Sequence, residues 1–183
     1  MIYTKLKLWL EENGIEYIET DYMEPYETRD PQNNIQKRFK FLAPKKTVDR
    51  EYKKLTIASN NGKMNLDVVF YKDGESYYID DVYFGKYDFE FWHEDECDLT
   101  WIELMDIIQS IMNGELKFRI VSRADTGAWI SDRDFDLSDP EDRQDFNKYM
   151  ESSDNKSVHP YIRKGPMKHE IYDWNSYDCF VRE

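Results

Sequence analysis

Strand-like segments separated by short turn signals fill the middle of this chain, and they constrain its fold more than any other feature. Asn61-Gly62 and Asp73-Gly74 are dipeptides typical of tight hairpins, because they tolerate positive φ. Beyond them, between Lys86 and Trp92, aromatic residues alternate with acidic ones. That period of two gives a strand one buried and one solvated face. The pattern predicts an antiparallel β-meander.

Helical patterns stand at both sides of this meander. The clearest runs from Trp101 to Asn113, where apolar residues form a wide stripe. Thr100 precedes it as an N-cap, and Glu103 completes a capping box. We also predict a helix that contains Ile2 to Leu10 and stops at Asn13-Gly14, and a further helix over Pro140 to Met150.

The remaining segments complete the predicted fold. We expect strands over Ile15–Thr20, Lys37–Ala43, Tyr52–Ser59, Met64–Lys72, Glu75–Phe84, Lys86–Trp92, Glu115–Ser122, Ala128–Phe135, Lys168–Trp174 and Tyr177–Val181, with a loop over Asp21–Asn34. The fold class is α+β, with a mainly antiparallel meander sheet and two or three helices packed on one face. The length fits one domain over residues 1–183, with a loosely attached C-terminal hairpin over 155–183 as the alternative.

Targeting and redox signals predict a cytoplasmic location. The first residues lack the apolar core of a signal peptide, and no run of about 18 apolar residues predicts a membrane span. The two cysteines, Cys97 and Cys179, belong to no paired motif, so we expect no disulfide framework. No motif calls for a cofactor, and we predict none.

The net charge of −13 is unevenly distributed. Residues 35–54 contain eight basic and two acidic residues, a local +6, which leaves −19 for the rest. Residues 75–106 contain eleven acids against one lysine, and residues 125–145 contain eight acids against two arginines. An acidic field repels nucleic acid and attracts basic protein surfaces.

This charge pattern selects the candidate partner-binding residues. They are Asp80, Asp81, Glu94, Asp95, Glu96, Asp98, Asp132, Asp134 and Asp136. The last three alternate along a strand, so they share a face at about the spacing of phosphates along a nucleic-acid strand. The candidate nucleic-acid contacts are Lys37, Arg38, Lys40, Lys45 and Lys46. The alternatives are a solvated acidic face and a basic segment that pairs internally.

Enzymatic alternatives rest on fragments of motifs. Asp80-Asp81 follows Tyr78 as in a Tyr-x-Asp-Asp metal site, and Glu115-x-Lys117 is similar to the end of a restriction-type nuclease pattern. A metal-dependent nuclease or hydrolase built from these residues is one alternative function. The cluster His93 to Cys97 lacks the second histidine of a zinc protease motif, so we predict no metal site. An accessory domain without separable activity is the other alternative.

In overall character, the chain resembles small acidic inhibitors of host defence encoded by phages and mobile elements, anti-CRISPR proteins among them. It is similar in the same way to bacterial toxin-immunity proteins. The resemblance implies a non-enzymatic protein that binds and neutralises a basic nucleic-acid-handling partner, such as a nuclease or a CRISPR effector. Tyrosines would anchor such an interface, and carboxylates would steer it.

Overall fold

The computed structural model describes residues 1–29, 45–89, 100–152 and 165–182. In these ranges the elements are α1 (Ile2–Glu12), β1 (Ile18–Arg29), β2 (Lys45–Ala58), β3 (Asn65–Asp73), β4 (Ser76–Phe84), β5 (Tyr87–Phe89), α2 (Trp101–Met112), β6 (Leu116–Arg123), β7 (Trp129–Asp136), α3 (Pro140–Glu151), β8 (Met167–Tyr172) and β9 (Tyr177–Arg182). The predicted α+β class is confirmed.

The strands form two sheets where the sequence suggested one. The first has the order β1-β2-β3-β4-β5, which is a meander, and the second has the order β7-β6-β8-β9. The chain divides into two compact units: residues 1–56 with 67–82, and residues 57–66 with 83–183. No helix in the described ranges is both long and apolar enough to cross a bilayer.

In the first unit, α1 packs by its apolar stripe. Leu6 and Leu10 are fully buried, and the ring of Tyr3 meets Phe70 edge-on at 5.3 Å. The helix ends at Glu12, as the Asn13-Gly14 signal predicts, because Gly14 takes a φ of +66° that closes the last turn.

Strand β1 corrects one sequence prediction. The chain is extended from Ile18 to Arg29 and pairs antiparallel with β2, whereas we predicted a loop from Asp21. Pro25 lies within this strand, although proline cannot donate to a ladder. Among the described strands β1 lies at the edge of its sheet, where a missing donor is tolerated. The predicted strand over Lys37–Ala43 lies outside the described residues.

The second unit has an aromatic core on one face of its sheet. Phe84 packs against Phe118 and Tyr172 with ring centroids 5.2 and 5.6 Å apart, and the Tyr172 hydroxyl donates to the Phe84 carbonyl at 3.1 Å. The capping box predicted for α2 is present, since Thr100 and Glu103 bond reciprocally. The C-terminal hairpin is integrated in this sheet, because β8 is paired with both β6 and β9.

The Asn61-Gly62 turn sits where predicted but is longer than a two-residue hairpin. Six residues connect β2 and β3, and the Asn61 side chain organises them. Its Oδ1 accepts from the amides of Lys63 and Met64 at 2.7 and 2.9 Å, while its Nδ2 donates to the Asp173 carbonyl at 2.5 Å. The turn is therefore bonded to the β8–β9 loop within the second unit.

Gly85 is a position where a side chain has no room. Its φ is +63°, and an added Cβ would lie 2.5 Å from Sδ of buried Met64. We expect Gly85→Ala to lower the free energy of unfolding by about 2–4 kcal/mol in urea titrations. Gly127→Ala is the control, because Gly127 has a φ of +71° and open space around its Cβ position. Gly127→Ala should lower the free energy of unfolding by about 1 kcal/mol. Equal losses in the two variants would show that packing against Met64 contributes nothing.

Candidate partner-binding site

The segment from β7 to α3 carries the acidic residues predicted at 132, 134 and 136. They lie on one face of β7, as predicted, opposite Ile120, Phe118 and Leu116 of β6. Their environments differ. Asp132 is exposed, Asp134 accepts from the Tyr87 hydroxyl at 2.9 Å, and Asp136 accepts from the Ser138 amide and hydroxyl at 2.8 and 2.6 Å.

These hydrogen bonds affect the neighbouring groups. The Ser138 hydroxyl, followed by its amide, lowers the pKa of Asp136. Burial, followed by the hydrogen bond to Asp134, raises the pKa of Tyr87. Asp134 and Asp136 therefore have structural roles, and Asp132 is the most accessible carboxylate of the three.

Helix α3 begins with acidic residues, which form its N-terminal cap and first turn. Asp139 is the N-cap and accepts from the amides of Glu141 and Asp142 at 2.7 and 3.2 Å. Carboxylates in a first turn also complement the helix dipole. The exposed carboxylates of the β7–α3 segment, which we call the β7–α3 surface, lie on both sides of strand β7. Asp132 is on one face, and Asp139, Glu141, Asp145 and Glu151 cap or belong to α3, which packs on the other face.

Both arginines of the segment are engaged within it. Arg133 extends to the other face of β7, where its Nη2 lies 2.9 Å from Asp142 and 3.5 Å from Asp145, with its guanidinium 4.4 Å from the Phe135 ring centroid. Arg143 donates through Nε to the Leu137 carbonyl at 2.7 Å. The local charge therefore stays negative at the surface.

Trp129 is the site residue that sequence reasoning missed. It begins β7, which lies at the edge of the second sheet among the described strands, and it is 62% exposed. Its neighbour Ile130 packs on the buried pair Val121 and Met167. The available signal was a tryptophan two residues after the Gly127 turn. An exposed tryptophan beside carboxylates has the composition of an interface centre.

Asp80 and Asp81 lie on β4 in the first unit. Asp80 is half-buried, and its pKa is raised by burial and then by Asp81 and Glu24, while Arg50 opposes the shift. Around them is a tyrosine face, which we define as Tyr22, Tyr26, Tyr52, Tyr71 and Tyr78 with Arg50.

The tyrosine face is held together by stacking. Tyr22 stacks on Tyr52 at 5.3 Å, and Tyr71 stacks on Tyr78 at 5.6 Å. The Arg50 guanidinium lies 3.6 Å from the Tyr26 ring centroid and 4.5 Å from that of Tyr71. These contacts connect β1, β2, β3 and β4, which is a structural use for tyrosines predicted as interface anchors.

Two lysines of the basic segment are paired with acids of the first unit. Lys53 bonds Asp21 at 2.7 Å and Glu19 at 3.2 Å, and Lys54 lies 3.7 Å from Asp67. Lys45 and Lys46 belong to β2, but the structure does not describe their side chains. Lys37, Arg38 and Lys40 lie outside the described residues, as do the predicted partner contacts Glu94, Asp95, Glu96 and Asp98.

The residues of the nuclease alternative fall in different units. Asp80 and Asp81 belong to the first unit, and Glu115 and Lys117 to the second. Lys117 forms an ion pair with buried Asp173. Among the described residues, no three His, Cys, Asp or Glu side chains converge to hold a metal ion.

Glu19 is the hub of an ionic network between α1 and the first sheet. It accepts from Lys7 at 2.6 Å, from Lys53 at 3.2 Å and from the Tyr3 hydroxyl. The hydrogen bond from Lys7, followed by that from Tyr3, lowers the pKa of Glu19 to about 2.

Because the folded-state pKa of Glu19 is depressed, its stabilisation is complete above the unfolded-state pKa of about 4.5 and is lost as the pH falls toward 2. We expect Glu19→Gln to cost about 1 kcal/mol at pH 7, since solvent screens the pairs, and almost nothing near pH 2. Urea titrations at both pH values measure this. Exposed Glu16→Gln is the control, and a pH-independent loss would refute the ionic origin.

Comparison of the chain with family models, with curated proteins and with solved structures finds no significant match.

Proposed function

We propose that this chain is a non-enzymatic inhibitor that binds a basic nucleic-acid-handling protein, such as a nuclease or a CRISPR effector, and neutralises it. The observation that carries the proposal is the β7–α3 surface, where exposed carboxylates flank strand β7 on both sides while the arginines of the segment are engaged within it. An anti-defence protein and a toxin-immunity protein are the two biological forms of this activity. Its site of action would be the cytoplasm, where such partners work.

Charge on this surface would act mainly on association. Between residues 125 and 151 the chain has nine acids and three basic residues. Such a field accelerates encounter with a positively charged groove and weakens as salt screens it over about 10 Å at 0.1 M. Carboxylates that occupy the groove would compete with nucleic-acid phosphates for the same lysines and arginines.

Trp129 supplies an apolar contact, which charged residues alone do not provide. Rim charges contribute little lasting affinity, whereas a tryptophan that leaves water for a pocket on the partner is a typical hot spot. Because Trp129 precedes Asp132 on the same edge strand, one partner surface can contact both. We therefore propose that Trp129 anchors the bound partner and that the carboxylates steer its approach.

The test is affinity capture from bacterial lysate with the immobilised protein, followed by identification and titration of the captured proteins. We expect basic nucleic-acid-binding proteins whose retention falls as salt rises. Trp129→Ala should weaken binding roughly tenfold or more at any salt concentration. The double variant Asp132→Asn/Glu141→Gln should weaken it roughly tenfold at low salt and less at high salt.

Matched variants elsewhere control for general effects. Ile102→Ala removes another exposed apolar side chain, which is 69% exposed on α2, and Glu12→Gln/Asp106→Asn removes two other exposed acids. These controls should change affinity less than about twofold. The proposal fails if the captured proteins are not basic, or if the site and control variants bind them equally well.

A further inference from the structure

The dipeptide Asn-Gly occurs three times in the chain, at Asn13-Gly14, Asn61-Gly62 and Asn113-Gly114. Asparagine is a thermolabile residue because it deamidates. A following glycine favours that reaction, since it has no side chain to hinder attack by its own amide nitrogen. The three copies share one chemistry and differ in their structural surroundings, so the fold decides which of them reacts.

The reaction consumes water and releases ammonia. Hydroxide removes the proton of the glycine amide, and the amide nitrogen attacks Cγ of the asparagine. The Cγ–Nδ2 bond then breaks, and Nδ2 leaves as ammonia after taking a proton from water. The resulting succinimide ring adds water at one of its two carbonyls and opens to aspartate or isoaspartate. The glycine amide and the asparagine carboxamide must therefore be released from their other hydrogen bonds at the same moment.

Asn61-Gly62 is the most restrained of the three copies. Its side chain is partly buried, and Oδ1 accepts hydrogen bonds from two backbone amides of the same turn. Nδ2 donates to the Asp173 carbonyl, and the Gly62 amide donates to the Ser59 carbonyl at 3.2 Å. These four hydrogen bonds hold the reacting groups apart from each other.

Asn13-Gly14, at the end of α1, has fewer restraints. The Gly14 amide donates to the Glu11 carbonyl at 3.1 Å, and Nδ2 of Asn13 donates to the Trp9 carbonyl at 2.8 Å. The Asn13 side chain is exposed. Two hydrogen bonds therefore oppose ring closure at this copy.

Asn113-Gly114, at the end of α2, is the least restrained copy. The Gly114 amide donates to the Ile111 carbonyl at 2.9 Å. The Asn113 side chain is exposed and forms no hydrogen bond with the part of the chain that the structure describes. Its carboxamide can therefore rotate toward the Gly114 nitrogen once a single hydrogen bond opens.

We propose that Asn113 is a site of spontaneous deamidation in the folded protein, and that the fold protects Asn61 from the same reaction. Each hydrogen bond that must open lowers the fraction of molecules able to react. Asn113 should therefore deamidate at least about tenfold faster than Asn61 in the folded chain, with Asn13 between them. This inference stands independently of the proposed inhibitor function.

The product would alter the connection between α2 and β6. A carboxylate at residue 113 would lie at the C-terminal end of α2, where the helix dipole disfavours negative charge. Isoaspartate would also add a methylene to the main chain just before β6 begins at Leu116. Both changes should destabilise the second unit, so the Tm of the folded chain should fall as it ages.

The first test is incubation of the full chain at mildly alkaline pH, folded and in denaturing urea, followed by mass spectrometry of the three Asn-Gly peptides. In urea the three rates should agree within about threefold, because the dipeptide is the same. In the folded chain Asn113 should react fastest and Asn61 slowest. Equal rates at Asn113 and Asn61 in the folded chain, or conversion of Asn113 in urea alone, would overturn the proposal.

The second test compares the thermal stability of aged variants. The aged wild type should lose at least about 2 °C of Tm relative to fresh protein. Asn113→Gln should lose less than about half as much, because glutamine would have to form a larger ring. Asn147→Gln, which changes an exposed asparagine followed by lysine on α3, should age as the wild type does. An Asn113→Gln variant that ages like the wild type would show that the loss arises elsewhere and would contradict the site.

Discussion

The antiparallel pairing of β6 with β7 on one side and β8 on the other is the constraint on which the second unit depends. Side chains alternate along β6, so Phe118 enters the aromatic core with Phe84 and Tyr172, while Arg119 enters the layer beneath α3. A slip of one residue would exchange a buried ring for a guanidinium. The same register places Asp132 and its neighbours on the face away from α3.

Charge in this protein has two different uses. In the described part of the first unit, acids and bases are paired: Glu19 and Asp21 bind Lys53, and Glu51 binds Lys72. In the β7–α3 segment the acids exceed the bases, partly because caps and turns use carboxylates as hydrogen-bond acceptors. A carboxylate that accepts an amide hydrogen bond keeps its charge, so local folding requirements also generate the surface field that we assign to partner binding.

The sequence predicted most elements because their signals are local. A capping box defined α2 at Thr100, and short segments bounded by turn signals defined most of the described strands. It missed the full extent of β1, because whether Pro25 ends a strand depends on the strand's position in the sheet. It also could not show that the strands form two sheets, or that the Trp129 ring lies outside the core, since both depend on contacts distant in sequence. Asp132, Asp134 and Asp136 share a face as predicted, but their different exposures required the structure.

In the inhibitor proposal the partner lies along strand β7, in contact with Trp129 and Asp132 on one face and with the acids of α3 on the other. Amide hydrogen exchange of the chain, alone and bound to a captured partner, tests it most directly, because exchange reports local protection along the backbone. Binding along β7 and α3 should add protection over residues 129–145, with little change on the tyrosine face. Protection confined to β1 and β2, with β7 and α3 exchanging as in the free chain, would contradict it.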